Sequence, residues 1–232
     1  MRAILLYHSV GSEGVHSIPV TAFRQQMELL MKRFKVVRLC DLPQEMASHS
    51  SETNLACITF DDGHMDNYEY ALPVLERLGI KATFCICTGF LGKTFPTSAG
   101  QSVIMSAAQV KELAGLGHEI GAHTVNHSKL TRVSIEEAWQ EVEGSKRFLE
   151  NLLQRKVFSF IYPKGDYNLA VRELVQRAGF QQAATVYEGL VVDAPDWLSL
   201  PRIWVSRKLT TKNLDVRLSP ATTLYRQWRR CR

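Results

Sequence analysis

The sequence predicts an α/β fold whose parallel sheet curls into a distorted or incomplete barrel. Three observations lead there. Short apolar runs alternate with segments of helical spacing along most of the chain. Polar groups, among them His8, Asp61 and Asp62, stand just after predicted strands, where barrels of this kind gather their chemistry. A chain of 232 residues with 45% hydrophobic composition buries a sizeable core, so one domain over 1–232 is expected.

Taken in order, the apolar run Ala3 to Tyr7 is too short for a secretory core and lacks a small-residue cleavage site, and it is expected to be the first strand. An amphipathic helix over Thr21 to Arg33, a short strand over Lys35 to Arg38 and a polar linker over Ser48 to Asn54 follow. Leu55 to Phe60 is a more apolar strand running into Asp61-Asp62-Gly63, after which Tyr68 to Leu78 has helical spacing and Gly79 supplies a stop. The alternation continues with a strand at Ala82 to Cys87, a helix at Ser106 to Leu116 and a strand at Glu119 to Ala122. A long helix at Ile135 to Leu153, a strand at Val157 to Tyr162 and a helix at Leu169 to Ala178 complete it. Gly92 to Val103 is expected to be a loop on the side of the active site, and the chain has no internal repeat.

Composition narrows the function classes. No run approaches the roughly 18 consecutive apolar residues of a membrane span. The odd, scattered set Cys40, Cys57, Cys85, Cys87 and Cys231 points to a reducing compartment, so cytoplasm is the expected location. Cys85-Ile86-Cys87 lies on a predicted strand without a second cysteine pair, which favours ordinary buried thiols over a metal knuckle. Much of the net charge of +5 comes from Arg226, Arg229, Arg230 and Arg232. Interleaved with Tyr225 and Trp228, these suit a solvated terminal helix or a peripheral contact with the inner membrane face or an anionic glycan. No nucleic-acid motif accompanies them, and no nucleic-acid partner is expected.

His123 and His127 are four residues apart, which would place both imidazoles on one face if the segment formed a helical turn. Imidazole and carboxylate suit zinc and related divalent ions, and two histidines plus one aspartate leave an open position for water. The adjacent carboxylates Asp61 and Asp62 repel each other unless one coordinates and the other hydrogen-bonds or handles protons. The plainer alternative is that the aspartates cap a helix whose surface carries the histidines.

At this point the chain resembles the polysaccharide deacetylase family with the NodB homology domain, carbohydrate esterase family 4. Thr59-Phe60-Asp61-Asp62-Gly63 matches its opening motif, and His123-Thr124-Val125-Asn126-His127 matches its H-[ST]-x-x-H motif. The resemblance implies a NodB-like (β/α) barrel, usually seven-stranded, with Asp61 as general base and Asp62, His123 and His127 as ligands of one divalent metal. Zinc is favoured, with cobalt, nickel or manganese as alternatives. Phe160-Ile161-Tyr162-Pro163-Lys164-Gly165 resembles the third motif in its shorter form, so the Lys164 backbone N–H is the candidate oxyanion donor. Ile161 stands where many members carry an arginine beside the base. Leu200-Pro201-Arg202-Ile203 resembles a segment of compact members, and Arg202 is the candidate to replace that arginine.

Asp193-Ala194-Pro195-Asp196-Trp197 matches a further family motif superficially, but its aspartates suit turns better. No histidine follows His127, so the late catalytic histidine of the family is absent. Tyr7-His8 resembles the early histidine of permuted members, which makes His8 the general-acid candidate; His16, His49, His64 and His118 lack such support, although His64 is close enough in sequence to line the cleft. The implied activity is metal-dependent removal of N-acetyl groups from an amino-sugar saccharide, oligosaccharide or polysaccharide precursor, an N-acetylated saccharide being the expected partner. Deacylation of a nonsaccharide amide, or an inactive carbohydrate-binding relative, remain the alternatives.

Overall fold

The β1 strand (Arg2–Tyr7) and the β5 strand (Leu55–Phe60) pair in parallel along their whole length. Every residue of β5 is buried. A strand covered on both faces needs such a near-continuous apolar run, and that is what Leu55-Ala56-Cys57-Ile58-Thr59-Phe60 supplies. The structure is a computed structural model that describes residues 1–12, 16–48, 53–97 and 100–219. The basic segment with Tyr225, Arg226, Trp228, Arg229, Arg230 and Arg232, together with Cys231 and His49, lies outside the described residues.

Between β1 and β5 come the short parallel pair β2 (Ser9–Val10) and β3 (Ser17–Ile18), then α1 (Val20–Arg33), β4 (Lys35–Val37) and α2 (Leu42–Ser48). After β5 follow α3 (Leu72–Leu78), β6 (Thr83–Ile86), the antiparallel hairpin β7 (Thr94–Thr97) and β8 (Gly100–Val103), α4 (Ala107–Gly115) and β9 (Glu119–Ala122). The rest is α5 (Ile135–Leu153), β10 (Ser159–Ile161), α6 (Leu169–Arg177), β11 (Gln182–Ala184), β12 (Ile203–Trp204) and α7 (Thr211–Arg217). Helices α4 and α5 each begin with a capping box, Ser106 with Gln109 and Ser134 with Glu137. Such caps satisfy the first free amides, each contributing about 1 kcal/mol.

Among the described residues, seven parallel strands follow the order β11-β10-β9-β6-β5-β1-β12, with β4 added beside β5. β4 pairs with the first half of β5 and β6 with its end, so the sheet is offset there. The path bends back on itself: Leu200 bridges to Ala184 at β11, and three residues on, at Ile203, β12 pairs with β1. The irregular segment that spans this gap carries Arg202. The fold is thus a distorted barrel of seven strands on its main path.

Period-two alternation sorts side chains between barrel and helices. On β1, Ile4 joins an inner cluster with Leu55, Cys57, Cys85, Ile161 and Ala184, while Ala3, Leu5 and Tyr7 pack outward with Phe23 and Met27 of α1. The same alternation gives His8 the parity of Ile4, at the strand's C-terminal end.

Among the segments that differ from expectation, two lie beside the site. A π-helical turn at Asn67–Ala71 precedes α3 in place of a regular start at Tyr68. Pro73 has no N–H to continue the usual ladder, and Asn67 Nδ2 donates to the His8 carbonyl at 2.8 Å. The expected loop over Gly92 to Val103 is largely the β7–β8 hairpin, which sets Phe95 edge-on to His127, ring centroids 5.2 Å apart. Among the described residues no helix is long and apolar enough to cross a membrane.

Candidate active site

The C-terminal ends of β1, β5, β6, β9 and β10 converge on one group of polar side chains. At the end of β5 the chain turns sharply: Asp62 and Gly63 both have left-handed backbones, φ 71° and 86°. That turn lets consecutive carboxylates point apart, which relieves the repulsion between them. Such backbone strain in a non-glycine residue costs about 1–2 kcal/mol and is tolerated where surrounding contacts fix it.

Asp61 faces Arg202. Its two oxygens accept from Nη1 and Nη2 at 2.7 Å each, and Nη1 also donates to Thr59 Oγ1 at 3.0 Å. Arg202 Nε donates to the Thr185 carbonyl at 2.8 Å, and the guanidinium is fully buried. Burial pushes the Asp61 carboxyl up, but the guanidinium outweighs it and the group lies below its ordinary value. Arg202 therefore reaches Asp61 from the barrel's closing segment, whereas Ile161, where many family members have arginine, offers a backbone carbonyl to another residue.

That residue is His123, whose Nδ1–H donates to the Ile161 carbonyl at 2.8 Å. This bond leaves the Nε2 lone pair free. His123 Nε2 and His127 Nε2 each lie 3.4 Å from Asp62 Oδ1. Asp62 Oδ1 is buried and has no hydrogen-bond partner. Burial and the neighbouring His123 pull His127 down to about 4, which keeps it neutral with a lone pair to give. Burial lowers His123, yet the Asp62 and Asp61 carboxylates outweigh it and raise the group, the mark of a position that favours positive charge. An orphaned buried carboxylate oxygen flanked by two imidazole nitrogens suits a divalent cation, so the residues present fit the metal that the sequence suggested.

The helical turn considered for His123 to His127 does not form. The segment is irregular, with left-handed Thr124 and His127, φ 66° and 56°. The two imidazoles are brought together instead by Glu141 of α5, whose Oε2 accepts from the Val125 and Asn126 amides at 2.9 and 2.8 Å. His127 N–H also donates to Thr124 Oγ1 at 2.9 Å. Helix capping by Asp61 and Asp62 is not observed either, since their oxygens face Arg202 and the histidines.

Sequence reasoning gave no role to Glu141, and to His64 only a place near enough to line the cleft. His64 Nε2 lies 3.2 Å from Asp62 Oδ2, and its Nδ1 lies 2.8 Å from Ser102 of β8. It thus fixes the second Asp62 oxygen and leaves Oδ1 for the shared cavity. Its place two residues after Asp62, across a left-handed glycine, was the available signal. An acid on the apolar face of α5 was the signal for Glu141.

His8 lies at the mouth, within electrostatic reach of Asp61, Asp62 and Arg202, and its Nδ1 is buried without a partner. Burial lowers its pKa against the opposing pull of both carboxylates. Cys87 borders the site: its Sγ, an Asp62 oxygen and a His123 nitrogen lie within 4.8 Å of one another. The thiol donates to the His123 carbonyl at 3.1 Å, and burial holds it well above its ordinary value, so it sits there as a neutral thiol.

Lys164 is exposed and has φ 59° in the tight turn Pro163–Gly165. Gly165 fixes that turn, since at φ +69° a Cβ would stand 2.5 Å from Val186 Cγ2 and 2.8 Å from the Val186 amide nitrogen. Gly165→Ala is expected to lower stability by on the order of 2 kcal/mol, read as a lower urea midpoint, through both strain and overlap. An unchanged midpoint would contradict this role for Gly165. Asp193 and Asp196 are remote from these groups. Asp193 pairs with Arg2, while Asp196 pairs with Arg172 and accepts from the Leu198 amide at 3.0 Å in a turn.

Comparison with known proteins places this geometry. The polysaccharide deacetylase family model matches residues 48–183. The Bacillus subtilis (strain 168) relative YxkH, whose name sets it among polysaccharide deacetylases, is 29% identical over 205 residues, 88% of this chain and 71% of that protein. A peptidoglycan-N-acetylglucosamine deacetylase of Bacillus cereus is 31% identical over 144 residues, 62% of this chain and 60% of its own length. The solved Streptococcus pyogenes deacetylase PplD, in complex with acetate, superposes with a TM-score of 0.83 at 25% identity, covering 94% of this chain and 98% of that one. The family match covers more than half of the sequence and the fold agrees over nearly all of it: the chain belongs to the polysaccharide deacetylase family.

Proposed function

We propose that the chain is a metal-dependent hydrolase that removes N-acetyl groups from an amino sugar in a saccharide, oligosaccharide or polysaccharide precursor. The observation that carries the proposal is Asp62 Oδ1, buried, unpartnered and 3.4 Å from the Nε2 atoms of both His123 and His127. Asp62, His123 and His127 would hold one divalent ion, zinc first by ligand chemistry, with cobalt, nickel or manganese able to use the same set. When bound, such an ion polarises a carbonyl and acidifies water.

Around it, this chain's residues divide the proton work. Asp61, oriented by Arg202, takes a proton from the attacking water as the new C–O bond forms at the acetyl carbon. The Lys164 backbone N–H is assigned to the oxygen that becomes negative, a role that needs position and not side-chain identity. His8 gives a proton to the amine nitrogen as the C–N bond breaks, releasing acetate and a free amino sugar.

His8→Gln tests this division. Metal content and folding are expected to persist while acetate release from an unactivated N-acetyl sugar falls by about 10²–10⁴-fold, and less for a substrate with an activated leaving group. Wild-type turnover by the metal-loaded variant would remove His8 from the acid role.

We also propose a cytoplasmic site of action. Cys40, Cys57, Cys85 and Cys87 are free thiols, which suits a reducing compartment. Recovery of the native protein only in an exported fraction would reject this.

A further inference from the structure

We propose that Trp204 and His16 form a stacking platform for the pyranose ring that carries the reacting acetamide. This inference rests on the saccharide reading above and adds which wall of the site holds the sugar. Trp204 ends β12, two residues after Arg202. Trp204 pairs in register with Leu6, two residues before His8, so it shares the face of β1 that carries Ile4 and His8. Arg202 points into the barrel and is fully buried, whereas Trp204 is 40% exposed. Its strand end is pinned: Leu6 pairs with it across β1, and Arg217 Nη1 donates to the Trp204 carbonyl at 3.2 Å.

The indole is not an isolated exposed ring. The His16 ring lies 5.6 Å from it at 31°, and the His8 ring lies 5.2 Å from His16 at 46°. His8, His16 and Trp204 therefore make a row of rings from the unpartnered His8 Nδ1 to the rim. The direction of the reaction fixes what that row meets. The proton donor must stand beside the leaving amine, and the amine is bonded to a sugar carbon. The sugar thus lies on the His8 side, and the surface continuing from His8 is His16 and Trp204. An aromatic face is electron-rich, and the C–H groups on a pyranose face carry weak positive charge, so the two stack while the hydroxyls remain in water. A small nonsaccharide amide gains nothing from such a row.

The experiment pairs acetate-release kinetics on N-acetylglucosamine oligomers of one to five units with tryptophan fluorescence during oligomer titration. Trp204→Ala is expected to raise KM for the oligomers about tenfold, more than it changes kcat, and to abolish the saccharide-dependent fluorescence change; Trp204→Phe keeps most of the affinity. Oligomer KM equal to wild type in Trp204→Ala overturns the platform. So does a wild type that cleaves an aryl acetate yet shows neither turnover nor a fluorescence response with oligomers, an outcome that leaves the hydrolytic reading intact. Saccharide-dependent quenching lost in Trp204→Ala, in a wild type that hydrolyses no acetyl substrate, supports the platform and rejects the hydrolytic reading instead.

Discussion

Asp62→Ala, His123→Ala and His127→Ala are each expected to yield protein without stoichiometric metal and with acetate release below about 1% of wild type, because each leaves two of three protein ligands. The largest loss belongs to Asp62, whose Oδ1 faces both imidazoles, and the smallest to His127, the more exposed of the two histidines. Asp62 has a left-handed backbone that alanine adopts poorly, so Asp62→Asn serves as the companion variant: asparagine tolerates φ 71° and retains a partner for His64 while losing the charge. Metal analysis of untreated protein beside an activity assay checks all four. Normal occupancy in the three alanine variants would reject the ligand set. Loss of fold in Asp62→Ala with normal metal in Asp62→Asn would reduce Asp62 to a structural residue.

Much of this arrangement was legible before the structure because it rests on local signals. β5, β9 and α5 appear with the boundaries that their apolar patterns implied, since each packs a face against the core as its periodicity requires. Asp61, Asp62, His123 and His127 stand in two motifs that resemble those of the family, and that resemblance, not a helical spacing of the histidines, singled them out. What was not legible depends on contacts distant in sequence. β11 and β12 are only three and two residues long, too short to show a period, and are fixed by pairing with β10 and β1. The left-handed loop that joins His123 and His127 carries no glycine, and it is held by contacts distant in sequence, from Glu141 on the next helix and from the Thr88 and Gly89 amides. The β7–β8 hairpin lacks an Asn-Gly or Asp-Gly turn, the strongest short signal for one.

Arg202 is the clearest case of a contact distant in sequence, and its removal is expected to give the largest loss of stability. Arg202→Leu leaves Asp61, only 3% exposed, without the two guanidinium bonds that compensate its burial. Breaking a buried pair from one side costs about 3–5 kcal/mol, most of it the desolvation of the abandoned charge. Thr185 loses a donor to its carbonyl as well. Arg202→Lys should fall between, since an ammonium cannot hold both Asp61 oxygens in a planar fork. Asp61→Asn keeps the shape and most metal binding but lowers turnover by about 10²–10⁴-fold, because an amide cannot accept the water proton, and it lowers stability as well, because the buried Arg202 guanidinium loses its counter-charge. The double variant Asp61→Asn/Arg202→Leu removes both charges, so it should be more stable than Arg202→Leu alone, the non-additivity expected of a coupled pair. Denaturant unfolding of the four proteins measures that coupling. Additive losses would mean that Arg202 supports the barrel closure without serving Asp61. A coupling above about 1 kcal/mol, with the activity of Arg202→Leu as low as that of Asp61→Asn, would mean that the closing segment supplies the group that keeps the base charged and aimed.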